Sequence, residues 1–581
     1  MSVGQLAGQL EHSLDTVIGS TRGGEARQRT LRAAVDWSYE LLGQAERVCL
    51  RRLSVFQGGF TPEAASAVVG DALLGADDIG ADEIARVLPE LVAGSLVEMD
   101  TSGDSVRYRL LEPIRQWAWS RLDEAGETEA SSTAHLAYYM RYVVPFGGLG
   151  LRGPYGVERI RSVDVELANV RTAIRFALDS GRGDEAAAIT SALRLYWVRC
   201  GHYREADEYC AQALEMSIRT ESRARMLQLR SLVAMYRADS SAAVHIEAAV
   251  ELFAEFGDRD ALARARMDRA FIRIGIHPVD VLSEEFRSLL DEAVANRDSW
   301  LEADLVSRFA HLQREAGSNF QAMDSMQRAL RLYRAVGEHS GIAVCLEAIG
   351  RWQSEAGELD AAAESLEESM AHQRALGSSL RVAMLQMALT EVVATRGDYE
   401  AARDTCALAL PVLRDLGALS YGWAICRSAV MEELCGSDAL AGECALRARE
   451  VNDAMIDRRW SAESDWVLAR VAIRRGELAA ACSHLAVAFA ANAEPAQPAR
   501  LADLVTTCGA LALAADRADL ARRLVRAGTA WRVAQGMTPF AVDIRDWVTA
   551  CGLAENIGDE RDADTLDEAI ALARGLVEEL G

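Results

Sequence analysis

Apolar residues recur at helical spacing along most of the chain, in successive blocks of similar sequence. Three consecutive blocks read GSNFQAMDSMQRALRLYRAVG, GELDAAAESLEESMAHQRALG and GDYEAARDTCALALPVLRDLG, and each opens with a glycine. The opening residues lie 39 or 40 positions apart, at Gly317, Gly357, Gly397, Gly436, Gly476 and Asp516. Because glycine tolerates the left-handed conformation that ends many helices, each marker is predicted to separate two helices.

Small side chains recur at two fixed positions in the second helix of each block. The first position holds Ala206, Ala242, Ala322, Ala362, Ala402, Ala441, Ala481 and Ala521, and the second, seven residues on, holds Ala213, Ala249, Ala329, Ser369, Ala409, Ala448, Ala488 and Gly528. Residues seven apart share a helix face, so small ones let a neighbouring helix approach closely. The pattern blurs only around residues 275–293. Such helical hairpins bury their apolar faces only when stacked, which predicts an α-solenoid.

The segment before the repeats follows a different pattern, in which helices precede a short β-hairpin. We expect helices over residues 30–42 and 45–56, a third that begins after the cap Thr61, and a fourth over residues 82–94 that Pro89 kinks or shortens. The strand-like segments SLVEMD and SVRYRLL, joined by the turn TSGD, precede a further helix, EPIRQWAWSRLDEAG. Helices followed by such a hairpin predict a winged-helix domain.

Composition narrows the classes of function. The 581 residues carry a formal net charge of −25, and residues 27–129 hold 11 arginines against 18 acids, so direct binding of nucleic acid is not expected. The chain contains no lysine, which excludes a P-loop and a lysine Schiff base. Histidines at no metal spacing and the lack of a nucleophile motif lead us to expect no catalytic residue, no metal and no cofactor.

The cysteines and the apolar segments indicate the compartment. Eleven cysteines form no C-x-x-C pair and lie mostly in apolar helical stretches, as reduced thiols do. The N-terminal sequence is amphipathic and carries acids early, unlike a signal peptide. The longest uncharged run, residues 478–493, is too short and too polar to span a membrane. We therefore expect a soluble, cytoplasmic protein that does not contact a membrane.

Several motifs resemble those of one family of regulators. The segments RQRTLRAAVDWSYELL, RRLSVFQGGFTPEAA, RYRLLEPIRQWAWSRL and ELANVRTAIRFAL occur in the order typical of bacterial transcriptional regulators of the LuxR and antibiotic-regulatory types. Those regulators belong to the signal-transducing NTPases with numerous domains (STAND). The repeats resemble tetratricopeptide repeats, although their period exceeds the usual ~34 residues. The chain is thus similar to the C-terminal half of such a regulator.

The predicted fold is all-α with a small β-hairpin wing: a winged-helix domain followed by a tetratricopeptide-like α-solenoid. Residues 1–26 resemble the tail of the helical lid of an NTPase module that is missing here, and residues 27–145 are expected to form the winged helix. Residues 158–535 would form the repeats, and residues 536–581 a C-terminal helical cap. The resemblance implies that the winged helix packs against an NTPase core, so ATP would enter only with a separate NTPase module.

The first helix of each repeat is expected to line the concave side of the solenoid. Counting back from each marker to the inward positions gives the candidate ligand-binding residues Asp304, His311, Arg314, Glu347, Arg351, Glu391, Trp423, Glu463, Trp466, Arg470 and Arg474. Carboxylates, guanidinia and indoles suit a polar effector or an extended peptide. The alternative is a solvated face whose local ion pairs contribute little.

Three functions are compatible with these observations. The first is a non-catalytic signal-sensing regulator that binds an effector or protein in the repeats and couples its occupancy, through the winged helix, to an NTPase in trans or in a missing upstream part. The second is a free-standing adaptor for protein–protein interaction. The third is one half of a split NTPase. Binding of ATP by the chain alone would favour the third, and an adjacent gene for a P-loop domain would favour the first over the second.

Overall fold

The computed structural model describes residues 35–71, 80–102, 105–147, 151–237, 239–274, 277–415, 420–453, 458–492, 498–538 and 564–581. The chain divides into two compact units. The first comprises residues 1–150, 161–193 and 211–222, and the second comprises residues 151–160, 194–210 and 223–581. The predicted lid segment, residues 1–26, lies outside the described residues. The start of the helix predicted over residues 30–42 lies outside them as well.

The first part of the chain contains the elements of the winged helix and the helices that follow it. Its helices are α1 Gln44–Leu53, α2 Pro62–Val69, α3 Ala81–Ala93, α4 Glu112–Glu124, α5 Thr128–Val143, α6 Gly156–Asp179, α7 Gly183–Ala192, α8 Arg194–Cys200 and α9 Tyr203–Glu215. Its strands are β1 Gly59–Phe60, β2 Glu98–Asp100 and β3 Arg107–Arg109. Residues 35–40 are also helical, and Val144–Phe146 forms a 3-10 helix.

Local sequence explains most of the winged helix. Thr61 caps α2 by accepting a hydrogen bond from the backbone N–H of Ala64, with Pro62 at the first helical position, as predicted. Helix α3 continues to Ala93, so Pro89 does not end it. The predicted hairpin is confirmed: β2 and β3 pair antiparallel. A third strand, the two-residue β1, pairs with the other edge of β3 and was not predicted.

Helix α6 is fixed to this small sheet by hydrogen bonds from two buried polar residues, Glu166 and Asn169. Glu166 accepts hydrogen bonds from the Arg107 guanidinium at 2.5 Å and from the Tyr139 hydroxyl at 2.6 Å. The amide of Asn169 donates to the carbonyl of Gly59 at 2.8 Å and accepts from the N–H of Gln57 at 2.7 Å. Both residues lie in the segment ELANVRTAIRFAL, so one of the family-like motifs has a structural role in positioning β1.

Stacked helical hairpins make up most of the described residues that follow α9, which confirms the predicted solenoid. The pairs are α10 Thr220–Tyr236 with α11 Ser241–Phe256, α12 Arg259–Ile272 with α13 Val279–Ala295, α14 Ser299–Glu315 with α15 Asn319–Val336, α16 His339–Ala356 with α17 Leu359–Ala375, α18 Ser379–Thr395 with α19 Tyr399–Asp415, α20 Ser420–Leu434 with α21 Asp438–Asp453, α22 Arg458–Arg474 with α23 Leu478–Ala491, and α24 Pro498–Ala514 with α25 Ala518–Ala534. The last helix, α26 Leu566–Leu580, joins the apolar core of the final pairs.

The small residues of the second helices lie at the contacts between helices, as predicted. The alanines at both positions are at most 5% exposed, and Ser369 is fully buried. A Cβ at Gly528 would come within 2.7 Å of the carbonyl of Ala502. In the segment where the pattern blurs, Leu282 and Leu289 occupy the two positions and are buried. The repeat therefore keeps its spacing there, and only the size of the side chains changes.

The marker residues adopt the predicted conformation. Gly317, Gly357, Gly397, Gly436 and Gly476 have φ between +73° and +93°. Asp516, which takes the place of glycine in the last pair, has φ of +59°. A left-handed residue thus separates the two helices of each of these pairs, whatever its side chain.

Candidate functional site

Two cavities lie within the second unit, and the first helices of successive hairpins provide much of their walls. The large cavity has a volume of about 400 Å³ and is bordered by residues of α14, α16, α18, α20, α22, α24 and the end of α25. The small cavity has a volume of about 160 Å³ and is bordered by α8, α10, α12, α14, α16, the α15 residue Tyr333 and Arg152. First helices of hairpins therefore provide most of the walls of both cavities.

Charges of both signs line the large cavity in equal number. The arginines among its lining residues are Arg314, Arg351, Arg427, Arg500 and Arg532. The carboxylates among them are Glu315, Glu355, Glu391, Glu463 and Asp503. The wall is therefore close to neutral as a whole, but it offers both hydrogen-bond donors and acceptors to a ligand.

Ion pairs hold several of these side chains in place. Arg532 donates to Asp503 at 2.7 Å, and Arg500 pairs with Glu463. Arg427 lies between Glu391 and Glu463, at N–O distances of 3.6 and 3.7 Å. Such pairs fix the orientation of the guanidinium groups. Selective recognition of a polar ligand requires donors that are held in place in this way.

Two further arginines of the large cavity, Arg351 and Arg314, lie near aromatic rings. The Arg351 guanidinium lies over the ring of Trp423, 5.4 Å from its centroid. Arg314 pairs with Glu355 and lies 5.4 Å from the ring centroid of Trp352. Burial, together with the positive charge of Arg532, lowers the pKa of Arg314 to about 10. Arg314 therefore remains charged at pH 7 while being poorly solvated.

The segment that follows α25 closes one side of the large cavity. The backbone N–H of Thr538 donates to the carbonyl of Glu355 at 2.8 Å, and the Asn319 amide donates to the carbonyl of Gln535 at 3.1 Å. Gly536 lies so close to the ring of Phe320 that a Cβ would approach it to 2.8 Å. These contacts join the last hairpin to hairpins much earlier in the chain, so the cavity is bounded there rather than open along the solenoid.

The structure places seven of the eleven candidate residues in the two cavity walls. Arg314, Arg351, Glu391, Trp423 and Glu463 line the large cavity. Asp304 and His311 line the small one. At these positions the candidates lie in a cavity wall, and their role in binding a ligand stays a prediction.

The other four candidates line neither cavity, and each bonds to a residue of another helix. The Glu347 carboxylate forms an ion pair with the Arg381 guanidinium, with an N–O distance of 3.2 Å. Trp466 is 1% exposed and donates from its indole N–H to Thr507. Arg470 is fully buried against Glu433, and Arg474 pairs with both Glu433 and Asp438. These side chains connect one hairpin to the next, which corrects their predicted placement in the groove.

Sequence reasoning missed Arg427, Arg500, Asp503, Trp531 and Arg532 in the large cavity. The period itself would have found Asp503, which lies thirteen positions before the marker Asp516, as Glu463 lies thirteen before Gly476. Arg427 lies one helical turn after Trp423 on the same face. Trp531 and Arg532 lie on a second helix, where the pattern places no inward residues.

The exposed surface of α3 carries acidic residues at the position where a helix-turn-helix would read DNA. Its single arginine, Arg86, is flanked by Glu83 at 3.6 Å and Glu90 at 3.3 Å. Asp82 is exposed as well. Since phosphate contacts dominate the affinity for nucleic acids, this surface is unfavourable for binding DNA.

The remaining chemistry of the described residues is sparse. They contain no cluster of three or more histidines, cysteines or acids that could hold a metal ion. In the same part of the chain, no helix is both long and apolar enough to cross a bilayer. Among the cysteines described there, Cys49, Cys210, Cys345, Cys406, Cys426, Cys482 and Cys508 are buried, and these seven form no disulfide.

Comparison with known proteins gives relatives for part of the chain. A Mycobacterium tuberculosis protein named "Putative HTH-type transcriptional regulator" is 30% identical over 279 residues, which cover 46% of this chain and 30% of that protein. A second protein of the same organism, named as uncharacterized, is 38% identical over 130 residues, covering 22% of this chain and 30% of its own length. The chain thus spans about a third of the length of the curated relatives it matches.

Solved structures with similar helical arrangements are more distant. A STAND protein with a tetratricopeptide repeat sensor from Pyrococcus horikoshii is 12% identical and aligns over 72% of this chain and 65% of that one, with a TM-score of 0.38. A Rap protein in complex with competence and sporulation factor is 13% identical and aligns over 60% of this chain and 99% of that one, with a TM-score of 0.45. Similarity at this level carries no argument about a ligand.

One segment of the chain matches a family directly. Residues 42–123 match the family described as "Winged helix-turn-helix domain". The match covers α1 to α4 together with all three strands of the sheet. Many winged helices bind DNA, which stands against the prediction of no nucleic-acid contact, whereas the acidic surface of α3 favours that prediction. Residues 42–123 of this chain are thus a winged helix-turn-helix domain, followed by a tetratricopeptide-like solenoid.

Proposed function

We propose that this chain is a non-catalytic, signal-sensing part of a transcriptional regulator and that the large cavity binds its effector. The observation that carries the proposal is the large cavity itself, with a volume of about 400 Å³ and fixed charges of both signs in its wall. Ligand pockets for small molecules typically enclose ~300–1,000 Å³. The winged helix-turn-helix domain and the relative named as an HTH-type transcriptional regulator support the link to transcription.

The chemistry of the wall favours a small polar effector without net charge. The wall carries equal numbers of arginines and carboxylates, so a ligand rich in hydroxyl groups or a zwitterion would leave few of them unsatisfied. The contacts of Gln535 and Thr538 bound the cavity on one side. An extended peptide needs a groove that stays open along several repeats, and for this reason it fits less well.

Occupancy of the cavity would be reported through the winged helix to an NTPase module, supplied by a separate protein or by a longer form of this one. The chain itself contains no lysine with which to build a P-loop. We therefore propose that ATP binds only to that module. The adaptor and split-NTPase hypotheses remain alternatives that the experiment below and a measurement of ATP binding by the purified chain can separate.

A thermal-shift screen of the full chain tests the proposal. Neutral oligosaccharides, amino acids and dipeptides are added one by one, and we expect at least one class to raise the melting temperature of the repeats. Arg351→Gln and Glu391→Gln each remove one charged partner from the wall, so affinity for that ligand should fall about tenfold or more.

The matched control is Arg396→Gln. Arg396 directly follows α18, is 44% exposed, pairs with the exposed Asp360 and does not line the cavity. This variant should bind the ligand like the unmodified chain. If no polar compound raises the melting temperature, or if the cavity variants respond like the control, the large cavity is not an effector site.

A further inference from the structure

The small cavity has the dimensions and the walls of a binding site for a compact molecule. Its volume is about 160 Å³, and a protein cavity of ~150 Å³ is large enough to hold benzene. Apolar and aromatic side chains form much of the wall, including Phe271, Trp300, Met267 and Val344. It is separate from the large cavity, with which it shares no lining residue.

The charged groups of the small cavity do not balance. Arg152, Arg194, Arg199 and Arg308 line it, but only two carboxylates do so, Asp268 and Asp304. Arg194 pairs with Asp268 at 3.1 Å, and Arg308 pairs with Asp304 at 3.3 Å. Arg199 pairs with Glu338, a buried residue, at 2.7 Å. Among the described residues, this pairing leaves one positive charge, that of Arg152, without a carboxylate of its own.

The backbone on both sides of Arg152 is held so that its side chain enters the cavity wall. The carbonyl of Leu151 accepts a hydrogen bond from Arg199 at 2.7 Å. The N–H of Gly153 donates to Glu338, the same carboxylate that pairs with Arg199. Two residues that are distant in sequence, Arg199 and Glu338, therefore fix a single loop, and Arg152 lies at its centre.

The guanidinium of Arg152 is buried and incompletely bonded. The residue is 5% exposed, and its Nε and Nη1 atoms have no hydrogen-bond partner among the described residues. It lies over the ring of Trp300, 3.1 Å from the centroid, and the indole N–H of Trp300 is likewise buried without a partner. Burial, reinforced by the charges of Arg194 and Arg199, lowers the pKa of Arg152 to about 9, so it is still charged at pH 7.

A buried charge without a partner is costly, and a ligand that supplied the counter-charge would remove that cost. The planar guanidinium donates through two parallel N–H groups, which matches the geometry of a carboxylate. The apolar wall and the volume fit a flat body of about six carbon atoms. We propose that the small cavity binds a compact apolar carboxylate, such as an aromatic acid, whose carboxylate group is bound by Arg152.

Titration calorimetry of the full chain with benzoate tests this assignment. Benzamide has the same shape without the charge, and inorganic phosphate has charge without the apolar body. We expect benzoate to bind measurably more tightly than either. Arg152→Met keeps most of the apolar volume and should weaken benzoate binding about tenfold or more, since a charged hydrogen-bond partner is lost.

The variants also distinguish a ligand-binding arginine from a structural one. Because Arg152→Met removes an unpaired buried charge, the melting temperature of the ligand-free protein should not fall. Arg152→Lys retains the charge without the planar pair of donors and should bind benzoate more weakly than the unmodified chain does. Arg351→Gln, in the large cavity, should leave benzoate binding unchanged, so this test is independent of the proposed effector site.

Three results would each overturn the assignment. One is the absence of benzoate binding by the full chain, and another is equal binding by the unmodified chain and Arg152→Met. The third is tighter binding of phosphate or benzamide than of benzoate, which would show that the cavity does not select an apolar carboxylate.

Discussion

Arg470 and Glu433 illustrate how single buried charges are accommodated in this protein. Two guanidinium nitrogens of Arg470 donate to both oxygens of Glu433 at distances of 2.6 to 3.1 Å. The two side chains are 0% and 3% exposed. A buried ion pair need not stabilise a fold relative to apolar residues, but removal of one partner leaves the other charged and poorly solvated.

We expect Glu433→Ala to lower the free energy of local unfolding of α20 and α22 by about 3–5 kcal/mol, because Arg470 is then left buried without its carboxylate. Hydrogen–deuterium exchange of peptides from both helices measures this quantity. Glu368→Ala, which breaks the exposed pair with Arg334, should cost less than about 1 kcal/mol. Equal effects of the two substitutions would contradict this account of the pair.

A buried histidine makes the stability of the first unit depend on pH. His135 is 1% exposed, and burial lowers its pKa to about 4, which the hydrogen bond to Asn169 only partly offsets. The unfolded chain binds this proton first, since its histidine has a pKa of ~6.5. The contribution is therefore complete above pH ~6.5 and is lost as the pH falls toward 4, by up to about 1.4 kcal/mol per pH unit.

The melting temperature of the first unit should accordingly fall more steeply between pH 6.5 and pH 4.5 in the unmodified chain than in His135→Phe. The ring of His135 packs against Phe56 and Tyr139, so phenylalanine preserves the aromatic contacts. His277→Phe is the control, because His277 is exposed. A slope in His135→Phe as steep as in the control would show that other groups dominate the titration.

At the scale of the elements, the hairpins from α14 to α25 are built from the same three local features. Two helices carry an apolar stripe, small residues let the pairs approach, and a left-handed residue separates the helices. Each feature acts between residues that are near in sequence or one repeat apart. This is why the hairpins could be predicted one by one from the pattern of the chain.

The left-handed positions offer a direct comparison of backbone conformations. Gly397 has φ of +93°, and a Cβ there would meet nothing within 4 Å. Gly397→Ala should therefore destabilise through the backbone alone, by about 1–2 kcal/mol. Asp516→Gly should raise the free energy of unfolding by up to about 1 kcal/mol. The aspartate at φ of +59° is strained, although less than an alanine would be at position 397.

Denaturant titrations that follow the helical signal measure both changes, with Ala401→Gly as a control for glycine placed within a helix. That control should destabilise, since glycine lowers helix stability by ~1 kcal/mol. Stabilisation by Gly397→Ala would contradict the conformational argument.

At the scale of the whole molecule, charge sets which partners are accessible. The net charge of −25 and the acidic surface of α3 oppose contact with phosphates, although residues 42–123 are a winged helix-turn-helix domain. The fold therefore favours binding to DNA, whereas the charge opposes it. Because the electrostatic contribution dominates non-specific affinity, we expect charge to prevail.

The full chain should thus show no binding to duplex DNA in fluorescence anisotropy at physiological salt. Reversing the two charges beside Arg86, in Glu83→Arg with Glu90→Arg, should produce weak binding that falls as salt is raised, if α3 has the accessible position of a recognition helix. Tight, sequence-selective binding by the unmodified chain would contradict the prediction and would make the winged helix a DNA-reading domain.

The sequence alone determined the hairpins and their spacing. It also indicated the winged helix, through the cap at Thr61 and the two segments that form β2 and β3. These features follow from contacts that repeat locally, so periodicity reveals them. The two-residue strand β1 was not predicted, because its pairing with β3 joins residues that are distant in sequence and produces no periodic pattern in the sequence.

Only the tertiary structure decided what covers each inward residue. Trp423 and Trp466 were both candidates in the sequence, yet Trp423 lines the large cavity and Trp466 donates a hydrogen bond to Thr507 of a neighbouring helix. Arg152 lies outside the repeats and reaches the small cavity because Arg199 and Glu338 hold its loop. Periodicity specifies the direction of a side chain, whereas burial depends on chain segments that are far away in sequence.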